Sequence, residues 1–385
     1  MLTDGFSFTQ RQQELWNDTV AFARDELQWD DLPQRDEQKI FIDENWQKIA
    51  KKGLLGLSMP EAYGGCGYDM VTTIHMLEAL GYGCPDNGLT LAVNGQTWSI
   101  QHPIANSGTE AQRRKYLPGL IDGSIKGCHA MTEPESGSDA FNMATVAEKT
   151  DGGYCLNGKK VWVGMAPEAD IVMVFASTNP DVGAWGVSAF IMEAGSPGLT
   201  LEATPEKMGL RTEPFGSVIM ENVFVPEENR IGREGAGASL FNAGMSYERN
   251  FIFTSHIGSM ARQLDQTIEY AKNRKQSGQP IGKYQSVSNR IADMRVRLET
   301  ARLFLYKAAA MIDAGQDVSL HAAMTKLALS EIFVENSMDA IRIHGARGYM
   351  AATGVERDLR DAVGGVIYAG TSDIQRNLIA RMLGL

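Results

Sequence analysis

HAMTEPESGSD, residues His129–Asp139, and NGKKVWVG, residues Asn157–Gly164, are the two runs whose reading decides the fold. The first strings together small hydroxylated residues, carboxylates, a proline and a glycine. Such a run leaves backbone N–H groups and hydroxyls free to face a ligand instead of a core. The second opens on Asn157-Gly158, a dipeptide that commonly turns one strand into the next, and continues with the alternating Val161-Trp162-Val163. Taken bare, the pair predicts a polar loop followed by a hairpin.

The surroundings of this centre are ordinary for a globular chain. Of 385 residues, 43% are hydrophobic and 22% charged, which suits a large core divided among two or three domains. A formal charge of −11 argues against nucleic acid or an anionic membrane as a general partner. The start, MLTDGFSFTQRQQELW, lacks the basic-then-apolar pattern of a secretory signal, and no apolar run reaches membrane-spanning length. Cys66, Cys84, Cys128 and Cys155 are scattered without metal or disulfide spacing, so a reducing cytoplasm is expected and no metal site is.

Outward from the centre the texture changes twice. Residues 1–125 read as helix, with apolar periodicity over Phe8–Leu27, Glu44–Lys52, Met70–Leu80 and Gln112–Leu117. Residues 126–231 carry short β-branched and aromatic runs: Tyr154–Leu156, Lys160–Val163, Ile171–Phe175, Val187–Met192 and Ser217–Glu221. Their turn-rich spacing predicts a small barrel or sandwich. Residues 232–385 return to long amphipathic helices, Leu240–Arg274, Ser286–Ala314, Leu320–Gly345 and Ile374–Leu383, which predict a bundle. The expected class is α+β: an N-terminal helical domain, a middle β-domain and a C-terminal four-helix bundle.

Two further runs, Arg274-Lys275-Gln276-x-Gly278 and Tyr368–Gln375 (YAGTSDIQ), join the central pair in an order that resembles the acyl-CoA dehydrogenase family of flavoproteins over almost the full length. The resemblance implies FAD between the middle domain and the bundle, accepting a hydride from the β-carbon of an acyl thioester. Carried over position by position, it sets Met131, Thr132, Gly137 and Ser138 against the flavin and Trp162 beside its ring. Thr371 and Asp373 would contact the cofactor from the C-terminal loop. Arg274 would reach the pyrophosphate of a neighbouring subunit's FAD, and Arg342 stands where a cofactor-binding glutamine is usual. Without the resemblance, Trp162 is a core aromatic and Arg274 a solvated charge.

One position departs from the family and redirects the search for a base. Most members carry a glutamate directly before the GTS of the C-terminal run; here that residue is Ala369, which cannot take a proton. Some members place the carboxylate on the helix that opens the bundle, just before an arginine. The match is Met245-Ser246-Tyr247-Glu248-Arg249, which makes Glu248 the candidate base. Such a base needs its pKa raised by a dehydrated pocket. The backbone N–H of Ala369 would still polarise the thioester carbonyl, and Arg249, Tyr368 and Gly370 are carried over as substrate contacts. Gly164 and Ser277 replace a threonine and a phenylalanine common in the family.

Several stretches look closer to one branch of that family: Ala166–Asp170, Ser177–Asp181, Gly186–Phe190, Glu248 and Gly370–Gln375. They resemble dehydrogenases that oxidise an aminoacyl group, notably prolyl, on a peptidyl carrier protein in natural-product pathways. Residues Lys207–Val218 are nearer the ordinary acyl-CoA pattern. The expected partners are therefore an acyl thioester on coenzyme A or a carrier protein, further copies of the chain in a homotetramer, and an electron acceptor the residues do not name. Two other readings stay open: an oxygen-using oxidase or monooxygenase of the same fold, and a flavin-poor subunit that stabilises an active homologue.

Overall fold

A computed structural model describes residues 8–204 and 206–385. Seven α-helices come first: α1 Gln10–Asp25, α2 Leu32–Gln38, α3 Asp43–Lys51, α4 Met70–Gly83, α5 Asn87–Gly95, α6 His102–Ser107 and α7 Glu110–Asp122. Their starts are written in the sequence. Thr9 and Thr109 each accept from the N–H three residues on, at Gln12 and Gln112, whose side chains bond back to the cap. This reciprocal bonding satisfies N–H groups that have no partner inside the helix. Between α5 and α6 the chain winds into a π-helical stretch, Gln96–Gln101, a form that recurs at functional sites.

Eight strands follow: β1 Gly127–Ala130, β2 Val146–Thr150, β3 Gly153–Gly164, β4 Ile171–Ser177, β5 Val187–Glu193, β6 Leu199–Ala203, β7 Phe215–Pro226 and β8 Arg230–Ile231. They form one sheet in the order β6-β7-β3-β2-β4-β5-β8, with β1 beside β4. The β1–β4 and β2–β4 pairs are parallel and the others antiparallel. The predicted Asn157-Gly158 turn is corrected here, because both residues lie inside the continuous β3. Gly158 marks a bulge at which Thr145 crosses so closely that a Cβ would stand 2.4 Å from its Oγ1. Asn157 is held by the opposite strand, its Oδ1 accepting the Asn222 N–H at 2.8 Å. The turn that does join β2 to β3 is Asp151-Gly152, with Gly152 at φ 75°, the geometry a two-residue hairpin needs.

The remaining helices are α8 Gly237–Phe251, α9 Thr254–Asn273, α10 Gln285–Asp313, α11 Ser319–His344, α12 Ala346–Tyr349, α13 Val355–Gly365 and α14 Ser372–Met382. The single helix expected over Leu240–Arg274 breaks between α8 and α9. Phe253 leaves helical geometry (φ −91°, ψ 4°), and the Thr254 hydroxyl takes the Phe251 carbonyl at 2.7 Å. Helices α4 and α9 touch backbone to backbone. A Cβ on Gly81 would lie 1.8 Å from the Ser255 carbonyl oxygen, and one on Gly258 2.0 Å from that of Glu78. A buried cluster ties the same helix to α10, with Glu78 accepting from Arg302 and from the Tyr306 hydroxyl, each at 2.7 Å. N-terminal helices, sheet and C-terminal helices all contribute to the larger of two buried hydrophobic clusters among the described residues.

Candidate active site

Where the three regions meet, a cavity of about 710 Å³ opens, within the range typical of small-molecule sites. Its walls come from α5 and the π-helical stretch, the loop after β1, the end of β3, residues 207–215, α8, α13 and the turn before α14.

The loop after β1 is the polar run of the sequence, and a buried ion pair holds its shape. Lys160, fully buried on β3, donates to the Met131 carbonyl at 3.0 Å and to Glu133 at 2.8 Å. Glu133 also accepts the N–H groups of Ala144 (2.6 Å) and Thr145 (3.0 Å), and the Val161 N–H bonds the Thr132 carbonyl at 2.9 Å. Burial works to raise the Glu133 carboxyl, yet the Lys160 and Thr145 bonds hold it below its ordinary value. Thr132, Gly137 and Ser138 consequently face the cavity. The Met131 side chain does not; it is buried in the core.

Trp162 reaches the same wall through a second irregularity. The β3–β7 register shifts between Lys160 and Val163, and Trp162 takes φ 57°. A bulge of this kind re-aims a side chain, and here it leaves a tryptophan 60% exposed with no aromatic partner among the described residues. The hydroxyls of Thr132 and Ser138 likewise make no hydrogen bond to a described residue. A flat, uncovered aromatic face beside unused donors fits a planar ring system with a polar edge.

From the other side, α8 presents Glu248. Its carboxylate lines the cavity and accepts the Ser99 hydroxyl at 2.8 Å, and Ser99 stands on the π-helical stretch. Loss of hydration raises the Glu248 carboxyl above its ordinary range; Ser99 and the Arg249 charge pull it down without cancelling that effect. Glu248 is half-buried, and the surface it keeps is the cavity wall.

The Tyr368–Thr371 turn closes the site. Gln375, fully buried, donates to the carbonyls of Ala369 (3.2 Å) and Gly370 (3.0 Å), and Arg249 adds a 3.4 Å bond to Ala369. Ala369 sits at φ 55° and Gly370 at φ 87°. The Ala369 N–H makes no hydrogen bond to a described residue, and Ala369 itself lines the cavity. Thr371 caps α14 through the Ile374 N–H at 3.2 Å, which leaves its own O–H free to donate. The Tyr368 ring stacks on Phe253, and burial drives its hydroxyl pKa well up.

The fold therefore gathers Thr132, Gly137, Ser138, Trp162, Glu248, Tyr368, Ala369, Gly370 and Thr371 on one cavity. Five other expected residues stand off it. Arg249 supports the turn from behind, Asp373 is exposed and pairs with Arg376 at 3.0 Å, and Arg342 pairs with Asp339 at 3.1 Å. Met131 is in the core, and Arg274, exposed at the end of α9, has no ion-pair partner among the described residues.

Family models described as acyl-CoA dehydrogenase N-terminal, middle and C-terminal domains match residues 9–124, 128–223 and 235–384. The chain belongs to the acyl-CoA dehydrogenase family. Among relatives in this family, an L-prolyl-[peptidyl-carrier protein] dehydrogenase of Pseudomonas fluorescens is 43% identical over 348 residues, 90% of this chain and 92% of that protein. The solved prolyl acyl carrier protein oxidase AnaB superposes with TM-score 0.97 at 42% identity, covering 98% of this chain and all of that one (100%). PigA with FAD and proline gives 0.95 at 39%, covering 99% of each chain.

Three residues that line the cavity escape the sequence reading. Ser99 was hidden in a helical run whose π-register no local pattern announces. Glu213 and Lys207 lie in KMGLRTEPFGSV, where their 3.2 Å pairing on the cavity wall depends on how that segment folds back.

Proposed function

We propose that this protein is an FAD-dependent dehydrogenase of an α-amino acyl thioester, a prolyl group on a peptidyl carrier protein, with coenzyme A as the alternative carrier. The observation that carries the reading is a dehydrated carboxyl, Glu248, on the wall of the cavity that also holds the partnerless N–H of Ala369. A bound FAD would supply the acceptor for the hydride that leaves the substrate's β-carbon. The protein's own residues do the rest.

Glu248 accepts the proton from the α-carbon. The Ala369 N–H donates to the thioester carbonyl, where negative charge gathers as that proton leaves. Trp162, Thr132, Ser138 and Thr371 would hold the flavin, the indole by its flat face and the hydroxyls by hydrogen bonds, and the buried Lys160–Glu133 pair keeps the loop in place. Arg274, exposed and without an ion-pair partner among the described residues, suits the pyrophosphate of a cofactor held by a neighbouring copy, and a homotetramer, the assembly that family membership implies, is the proposed state. Among the described residues no helix is long and apolar enough to cross a membrane. All four cysteines are free, and the cytoplasm is the proposed location.

Anaerobic mixing of the FAD-loaded protein with an L-prolyl carrier-protein thioester should bleach the oxidised flavin band. A band that persists with prolyl thioesters on both carriers would overturn the proposal. A second reading, with oxygen as electron acceptor, is favoured by one neighbour being an oxidase. Reoxidation of the bleached enzyme in air within a turnover time would establish it, and reoxidation requiring a flavoprotein acceptor would remove it.

A further inference from the structure

The cavity wall carries two acidic residues, Glu248 and Glu213, and the chemistry proposed above uses one. Glu213 is held firmly. Leu210 adopts φ 52°, its carbonyl accepts the Glu213 N–H at 3.1 Å, and its own N–H bonds Asp361 at 2.5 Å. Thr212 donates to Asp86, also at 2.5 Å. The side chain is 9% exposed, and Oε2 accepts the Lys207 ammonium at 3.2 Å.

The other oxygen, Oε1, accepts nothing from any described residue. It is the atom nearest to where a Cβ on Gly164 would stand, 2.8 Å away. Residue 164 lines the cavity and has no side chain to cover that oxygen. Glu213 lines the cavity and Oε1 keeps accessible surface, so a donor brought by what fills the cavity can take the place of water at that oxygen. A saturated acyl chain brings no N–H of its own. A prolyl group brings a secondary ammonium, whose charge-assisted bond to a carboxylate is among the stronger polar contacts available.

We propose that Glu213 recognises the protonated ring nitrogen of a prolyl-type substrate, with Lys207 fixing the carboxylate from its other oxygen and Gly164 leaving the approach open. The inference rests on the acyl-thioester reading above and adds to it a residue that selects an amino acyl group over a plain one.

The test compares L-prolyl and cyclopentanecarbonyl groups on the same carrier protein, which differ by N–H for CH₂. Half-saturation and rate of anaerobic flavin bleaching are read for the FAD-loaded wild type and for Glu213→Gln. Wild type should favour prolyl by roughly tenfold or more, and the variant should lose that preference while the carbocycle changes by no more than about threefold. Damage to the site in general would lower both substrates together. Gly164→Ala, which sets a methyl against Oε1, should reduce the preference in the same direction with Glu213 intact. It decides the matter if the glutamine variant does not hold FAD. A wild type indifferent to the nitrogen, or a preference that survives in both variants, overturns the assignment. Bleaching by neither thioester would instead sink the dehydrogenase reading and this inference with it; equal bleaching by both sinks only the role of Glu213.

Discussion

Glu133 stands behind the loop that forms part of the cavity wall, Glu248 lines the cavity itself, and the two are treated in opposite ways. Glu133 meets a buried ammonium and two backbone N–H groups, enough to hold its charge firmly. Glu248 meets one hydroxyl and a guanidinium charge, and loss of water outweighs both. A carboxylate that is fully satisfied has little reason to take a proton. One that is under-satisfied and open to a ligand can take it. The first arrangement builds the loop; the second is free to work on what that loop binds.

Breaking the second arrangement should have the largest effect. Glu248→Gln removes the proton acceptor and keeps the shape, so bleaching by substrate should slow by about 10²–10⁴-fold. FAD content, read from the flavin spectrum, should stay near that of wild type. Breaking the first should act on stability. Lys160→Met strands the buried Glu133 charge at a cost of about 3–5 kcal/mol, visible in denaturant unfolding. Adding Glu133→Gln to that variant should recover part of the loss, because no uncompensated charge remains.

Ser99→Ala sharpens the contrast. The Ser99 hydroxyl lowers the Glu248 pKa, so its removal raises that pKa and shifts the acid limb of the kcat/KM profile to higher pH. A loss near neutrality of roughly tenfold, recovered in alkaline buffer, is the expected result; a uniform loss at every pH would remove Ser99 from the tuning of the base.

Another carboxyl, Asp361, gives an effect that is read in stability against pH and not in rate. Asp361 accepts the Leu210 N–H and the Asn87 amide, and burial pushes it from 3.8 to about 7. Its folded form holds a proton more tightly than its unfolded form. The stability it contributes is therefore complete below pH 3.8 and declines as pH rises to about 7. Unfolding measured across that window should show the decline in wild type and a flatter profile in Asp361→Asn.

Much of this protein was legible in its residues. The periodicity of Phe8–Leu27 and Ser286–Ala314 marked helices within a few positions of α1 and α10, because amphipathic spacing is a local property. The polar run at His129–Asp139 marked a loop that lines the cavity, and Ala369 marked a cavity position without a carboxylate. Asn157-Gly158 misled because its turn propensity is local, whereas the bulge that absorbs it depends on Thr145 and on β7. The break at Phe253 was invisible for the same reason, since the apolar periodicity of Ala, Met, Leu and Ile runs straight through it.

The order of residues was enough for the family and for the succession of helical and stranded regions, and through the family resemblance it offered Glu248 as a candidate for the absent carboxylate. Only the tertiary structure decided that Ser99 would hold that carboxylate, that Lys160 would clamp the loop, and that Glu213 would join the same cavity. Those contacts link residues 149, 27 and 6 positions apart. The energy that fixes such pairs comes from excluding water around both partners together, and a linear run of residues does not carry it.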